Sequence, residues 1–147
     1  MEMHSQAGIR GDLVADVPTA ATPIVALFSY HTSIPMITPR EEKTHGSGAS
    51  IDGVFEAGQT VILIDDLVTK ADSKLNAIKT LESKGLIVKD VMVLVDRQQG
   101  GAAELAARGY NLHSAFTISE LLDYYLEAGF IPRVGFDEIK AYFAANR

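Results

Sequence analysis

The sequence predicts a doubly wound α/β domain, a mostly parallel five-stranded sheet with helices on both faces. Short apolar runs alternate with segments of helical period, which is the βαβ rhythm of such a sheet. The run Val61-Ile62-Leu63-Ile64 is apolar at consecutive positions, as expected of a central parallel strand buried on both faces. Gly85, Gly109 and Gly129 stand just past helical patterns, where left-handed C-terminal caps are wanted. A chain of 147 residues fits one such domain, spanning 1–147.

In chain order, residues 1–11 are expected to be irregular and residues 13–17 form the first strand. Thr22-Pro23 suggests an N-cap and first turn, opening a helix that Ser33-Ile34-Pro35 stops. Residues 35–38 form the second strand. The polar, Gly/Ser-rich stretch 39–56 is too long for an ordinary connection of about 4–6 residues, so it reads as a functional lid loop or a disordered one. Residues 60–64 are the third strand, and the helix over 73–84 places Leu75, Ile78 and Leu81 on one face. Strand 88–95, helix 102–108 and strand 111–116 follow. Thr117-Ile-Ser-Glu120 fits a capping box for a helix with Leu121, Leu122, Tyr125 and Leu126 on its apolar face. A last helix over 137–145 is expected to bury Ile139 and Phe143.

The composition, 47% apolar and 22% charged, is that of a folded globular chain. Thirteen basic residues against nineteen acidic ones give a net charge of −6, which argues against nucleic acid as a partner. Small phosphorylated ligands stay open, given a concentrated basic loop or a divalent cation. With no cysteine there is no disulfide and no thiolate catalysis. Residues 1–6 lack a cationic region leading into an apolar run, and no stretch of about eighteen apolar residues occurs, so neither membrane nor secretion is expected. The cytoplasm is the simplest location.

The residues that carry chemistry cluster around the central strand. Asp65 and Asp66 follow it, and in open α/β sheets ligands bind outside the carboxyl ends of strands. Two adjacent carboxylates need solvent, a cation or hydroxyl donors such as those of a ribose to stay ionised, although they also suit a solvated strand end. Thr69-Lys70-Ala71-Asp72-Ser73 leads into a helix N-terminus, whose free N–H groups suit a phosphate; capping by Asp72 or Ser73 is the plainer reading. Arg40, Lys43 and His45 concentrate cations in the loop, and Arg97 lies at the same sheet edge as Asp65, able to hold a carboxylate or to pair with Asp96. No phosphate-binding P-loop or dinucleotide fingerprint is present, the histidines lack metal-ligand spacing, and His113 reads as a hydrogen-bonded structural residue. A phospho-receiver domain also ends a strand on an acidic pair, but puts it on the first strand.

Four blocks together resemble the orotate phosphoribosyltransferases, especially the form joined to orotidylate decarboxylase in bifunctional UMP synthases. They are Val14 to Pro23, Ile34 to Gly46, Val61 to Ser73, and Val93 to Gly101 with Leu112 to Ser119; the resemblance covers 12–131. It implies a type I phosphoribosyltransferase with a flavodoxin-like core. Such an enzyme binds phosphoribosyl pyrophosphate with Mg²⁺, held mainly through the substrate, and transfers ribose 5-phosphate to N1 of orotate. It implies that Asp65 and Asp66 hold the ribose hydroxyls, and that Leu67, Val68, Thr69, Lys70, Ala71, Asp72 and Ser73 surround the 5′-phosphate. Arg40, Lys43 and His45 would belong to a lid that closes over the partner's site in a homodimer, with Lys43, His45, Asp65 and Asp66 catalytic; Thr69 and Arg97 would bind orotate.

Several positions depart from the family pattern. Pro39 and Arg40 stand where a basic pair is usual, Ala71 and Asp72 replace glycines of the phosphate turn, and Asp16 replaces a glycine on the pyrophosphate side. Each weakens attraction for a polyanion. The resemblance also begins near the family's first core strand, leaving out the N-terminal portion that hoods orotate. The alternative expectation is therefore a binding or regulatory module that keeps the fold without turnover.

Overall fold

The structure, a computed structural model, describes residues 8–40 and 50–145. Its sheet has six strands: β1 (Leu13–Asp16), β2 (Met36–Arg40), β3 (Ser50–Asp52), β4 (Thr60–Val68), β5 (Ile87–Asp96) and β6 (Asn111–Thr117). They lie in the order β3-β2-β1-β4-β5-β6. The five expected strands are all parallel to their neighbours. The sixth, β3, runs antiparallel to β2 at the edge, pairing Arg40 with Ser50 and Thr38 with Asp52. Within the expected loop 39–56, residues 39–40 and 50–52 are thus strand, joined by an ion pair of Arg40 with Asp52, while 53–56 are irregular.

Among the described residues there are five helices, three between strands, α1 (Thr22–Thr32), α2 (Asp72–Glu82) and α3 (Gly101–Ala107), and two after β6, α4 (Ile118–Glu127) and α5 (Arg133–Ala145). Helix α1 covers one face, where Val25 packs with Val14, Ile62, Ile64 and Met92. On the other face Ile78 and Leu81 of α2 and Leu105 of α3 pack with Leu13, Ala15, Leu63, Val91 and Val93. Odd and even residues of β1 go to opposite clusters, which is why its four residues are all buried.

Helix boundaries follow local chemistry, with corrections to the expected faces. Ala21, not Thr22, takes the N-cap position of α1, because the Thr22 hydroxyl donates to the Asp16 carboxylate instead of capping. The buried face of α2 is Lys74, Ala77, Ile78 and Leu81; Ile78 and Leu81 lie on it as expected, while Leu75 is half-buried at the margin of the core. Tyr125 of α4 is exposed and packs on Phe130, leaving Leu122 as the buried anchor. Helix α5 starts four residues before the expected 137, so Phe136 is its buried residue while Ile139 is exposed and Phe143 half-buried.

The capping box of α4 forms: Thr117 accepts from the Glu120 N–H, and the Glu120 carboxylate accepts from the Thr117 N–H at 2.7 Å. That N–H, then the Thr117 hydroxyl, holds the Glu120 carboxyl below its ordinary value. The stabilisation is therefore present above the unfolded glutamate range and lost as pH falls through the lower folded value. Thr117→Ala is expected to cost about 1 kcal/mol in urea unfolding at neutral pH, with the difference shrinking in acid.

Candidate functional site

Strand order reverses between β1 and β4: the chain goes from β1 through α1 to β2 on one side, and from β4 through α2 to β5 on the other. In doubly wound sheets a crevice opens at that point, outside the carboxyl ends of the two strands. Here β1 stops at Asp16, opposite Ile64, while β4 continues to Val68 along β5. The acidic pair therefore lies inside β4 and not after it. Asp65 and Asp66 stand just beyond the end of β1, on the rim of the crevice.

The two carboxylates have different surroundings. Asp65 is 5% exposed; one oxygen accepts from the Asp66 N–H at 2.8 Å and the other meets the Lys74 ammonium at 2.5 Å. Burial pushes the Asp65 carboxyl above its ordinary value, while the Lys74 hydrogen bond and charge pull it back. Asp66 is half-buried; it accepts from the adjoining Leu67 N–H at 2.7 Å, and its side chain also lies against the Asp65 carboxyl, adding to the upward push on it. It can still accept from a ligand. Lys74 went unrecognised in the sequence because a lysine on a helix ordinarily reads as solvated.

The turn after β4 is held from below by α3. Gly101 N–H donates to the Thr69 carbonyl at 2.9 Å, and Glu104 accepts from the Ala71 N–H at 3.3 Å. Of the expected phosphate-binding backbone, the Leu67 and Ala71 N–H groups are thus engaged, Val68 is fully buried with its carbonyl accepting from Arg97 N–H, and Thr69 is half-buried. The first bond of α2 is Leu75 N–H to Ala71, so the donors at Asp72 and Ser73 have no partner within the helix. Those exposed residues, with exposed Lys70, form the open part of the turn. A Cβ at Gly101 would fall 2.5 Å from Val68 Cγ2 and 2.8 Å from the Thr69 oxygen. Gly101→Ala is expected to cost about 1–3 kcal/mol in urea unfolding and to displace this turn.

The other expected residues lie around this centre. Arg40 is at the exposed β2–β3 edge with its Nε 2.7 Å from Asp52, while Lys43 and His45 fall outside the described residues. Arg97 adjoins Val68 through its backbone, but its guanidinium lies over the Phe143 ring, 5.4 Å from the centroid, and not on Asp96. Asp96 instead accepts from the Gln98 N–H. His113 is structural, 2.8 Å from Asp90. Asp16 is fully buried at the end of β1, one oxygen accepting from Thr22 and the other without a partner among the described residues.

A half-buried carboxylate and an open helix N-terminus flank one crevice, which suits a ligand bearing a diol at one end and a phosphate at the other. No family model matches the chain. It is 38% identical over 113 residues to the orotate phosphoribosyltransferase of Thermoplasma volcanium, covering 77% of this chain and 68% of that protein. The chain belongs to the orotate phosphoribosyltransferase family.

The family enzyme of Caenorhabditis elegans is 36% identical over 116 residues, and this chain spans about half of it, 51%. Leishmania donovani UMP synthase superposes with a TM-score of 0.87 at 31% identity, covering 98% of this chain and 32% of that one. These likenesses bear out the type I phosphoribosyltransferase fold expected from the sequence.

Proposed function

We propose that this chain catalyses the reaction of its orotate phosphoribosyltransferase relatives: Mg²⁺-dependent transfer of ribose 5-phosphate from phosphoribosyl pyrophosphate to orotate, giving orotidine 5′-phosphate and pyrophosphate. The observation that carries it is the acidic pair facing the open first turn of α2 across the crevice beside the end of β1. N1 of orotate attacks C1 of the ribose, and the bond from C1 to the pyrophosphate oxygen breaks. Asp66 accepts hydrogen bonds from the ribose hydroxyls, and the N–H groups of Asp72 and Ser73 take the 5′-phosphate. Thr69 and Arg97 bind orotate, Arg97 leaving the Phe143 face to do so. Arg40, released from a surface ion pair that is worth little, joins Lys43 and His45 over the pyrophosphate, where Lys43 offsets the developing charge.

Among the described residues no three of His, Cys, Asp and Glu converge on a common point. A Mg²⁺ carried mainly on substrate oxygens would need at most one or two carboxylates, and Asp66 could supply one. The ion would neutralise diphosphate charge. A lid reaching a partner's site makes a homodimer the working assembly, and the UMP synthase likeness suits fusion or association with orotidylate decarboxylase. No described helix is long and apolar enough to cross a membrane, and the reading places the protein in the cytoplasm.

A second reading has its own support: Asp16, Asp72 and the Glu104 carboxylate on the Ala71 N–H all oppose a polyanion. They favour a module that binds ribose phosphates without turnover. Incubation with phosphoribosyl pyrophosphate, Mg²⁺ and orotate separates the two. Orotate consumption that requires Asp66 establishes transfer; calorimetric binding without consumption establishes the binding module; neither rejects both.

A further inference from the structure

Lys74 is 4% exposed, an expensive place for an ammonium, and all three of its donors are used. Nζ lies 2.5 Å from Asp65 Oδ2, 2.5 Å from the Leu67 carbonyl and 3.4 Å from Ser73 Oγ. A buried ion pair is weak evidence of stabilisation, since replacing both partners together by well-packed hydrophobic side chains often does as well or better. What a hydrophobic residue cannot do is join three polar points. Two of these points are on β4 beside Asp66, and the third is on the first turn of α2.

We propose that Lys74 is the positioning residue of the crevice, fixing the distance between the acidic end of β4 and the open N–H groups of α2. The inference rests on the reading of the crevice as a ribose-phosphate site, and it adds how the two halves are kept in register. Ribose 5-phosphate spans both halves and has a rigid sugar between its diol and its phosphate. Inorganic phosphate needs only the turn. Lys74 touches neither ligand; it acts through Asp65 and through the start of α2, so that the site is organised before the ligand arrives.

The test compares Kd values of ribose 5-phosphate and inorganic phosphate by calorimetry for the full chain and for Lys74→Met, at a temperature where circular dichroism shows both folded. The expected result is that ribose 5-phosphate weakens about tenfold, the scale of one lost charge-assisted contact, while phosphate affinity is retained. Where Lys74→Met does not fold, Lys74→Gln, which keeps an N–H donor for Asp65 without the charge, carries the same comparison. Equal loss of both ligands, as from a general loosening, overturns the inference, and so does no loss of either. Wild-type protein that does not prefer ribose 5-phosphate to phosphate overturns the reading of the site itself, and the inference with it.

Discussion

Lys74→Met is expected to lower folding stability by about 3–5 kcal/mol at neutral pH, the cost of leaving one partner of a buried ion pair uncompensated. Asp65 would keep the Asp66 N–H but lose its only described counter-ion. Burial already raises the Asp65 carboxyl against the pull of Lys74, and removing that pull raises it further. A carboxyl raised on folding contributes stability that is fully present below its unfolded value and is lost as pH rises through the folded one. The variant loses that contribution over a wider span of pH than the wild type. Urea unfolding of both proteins at neutral and at mildly acidic pH should therefore show a gap that narrows with acid. A gap of constant size would mean that the loss comes from packing around the missing ammonium and not from the stranded charge.

The same ion pair explains where the sequence was readable and where it was not. The buried run at 61–64 shows the centre of the sheet because continuous apolarity has few other uses. Gly85, Gly109 and Gly129 signal helix ends for a similar reason, and all three adopt positive φ. The continuation of β4 through Asp65 and Asp66 was hidden, since paired carboxylates look like the end of a strand. Only pairing with β5, Asp65 opposite Val93 and Leu67 opposite Val95, extends it, and only Lys74 makes the burial tolerable. Both are long-range facts that no local pattern carries.

The site shows a comparable division. Adjacent aspartates at the switch of strand order mark the crevice correctly, but sequence assigns them equal roles. Their environments differ in burial and partners, although the Asp66 side chain lies against the Asp65 carboxyl and helps to raise it. Asp65 is buried on the Lys74 ammonium, whereas Asp66 is half-buried and takes the Leu67 N–H. The phosphate turn was legible as a helix start, but not the Glu104 contact that occupies the Ala71 N–H from thirty-three positions away. Likewise β3 is a three-residue strand set by its pairing with β2 and by Ile51 against the core. Short polar edge strands leave almost no periodic signal.

Asp66→Asn is expected to weaken ribose 5-phosphate binding by tenfold to a hundredfold, about 1.5–3 kcal/mol, as an ionised acceptor for the sugar hydroxyls becomes a neutral one. Folding should be nearly untouched. Asp66 is half-buried, the asparagine oxygen can still accept from the neighbouring Leu67 N–H, and the asparagine amide can donate to the Asp65 carboxyl that Asp66 lies against. Inorganic phosphate, which does not reach the diol side, should bind as in the wild type or slightly better once a nearby negative charge is gone. Parallel titrations with the two ligands, alongside urea unfolding, distinguish this from a damaged crevice. Asp66 and Lys74 then differ in a measurable way: one substitution removes an acceptor at no cost in stability, whereas the other loosens the same ligand and destabilises the fold. Losing phosphate and ribose 5-phosphate in equal measure on Asp66→Asn would mean that the carboxylate organises the turn and does not contact the sugar.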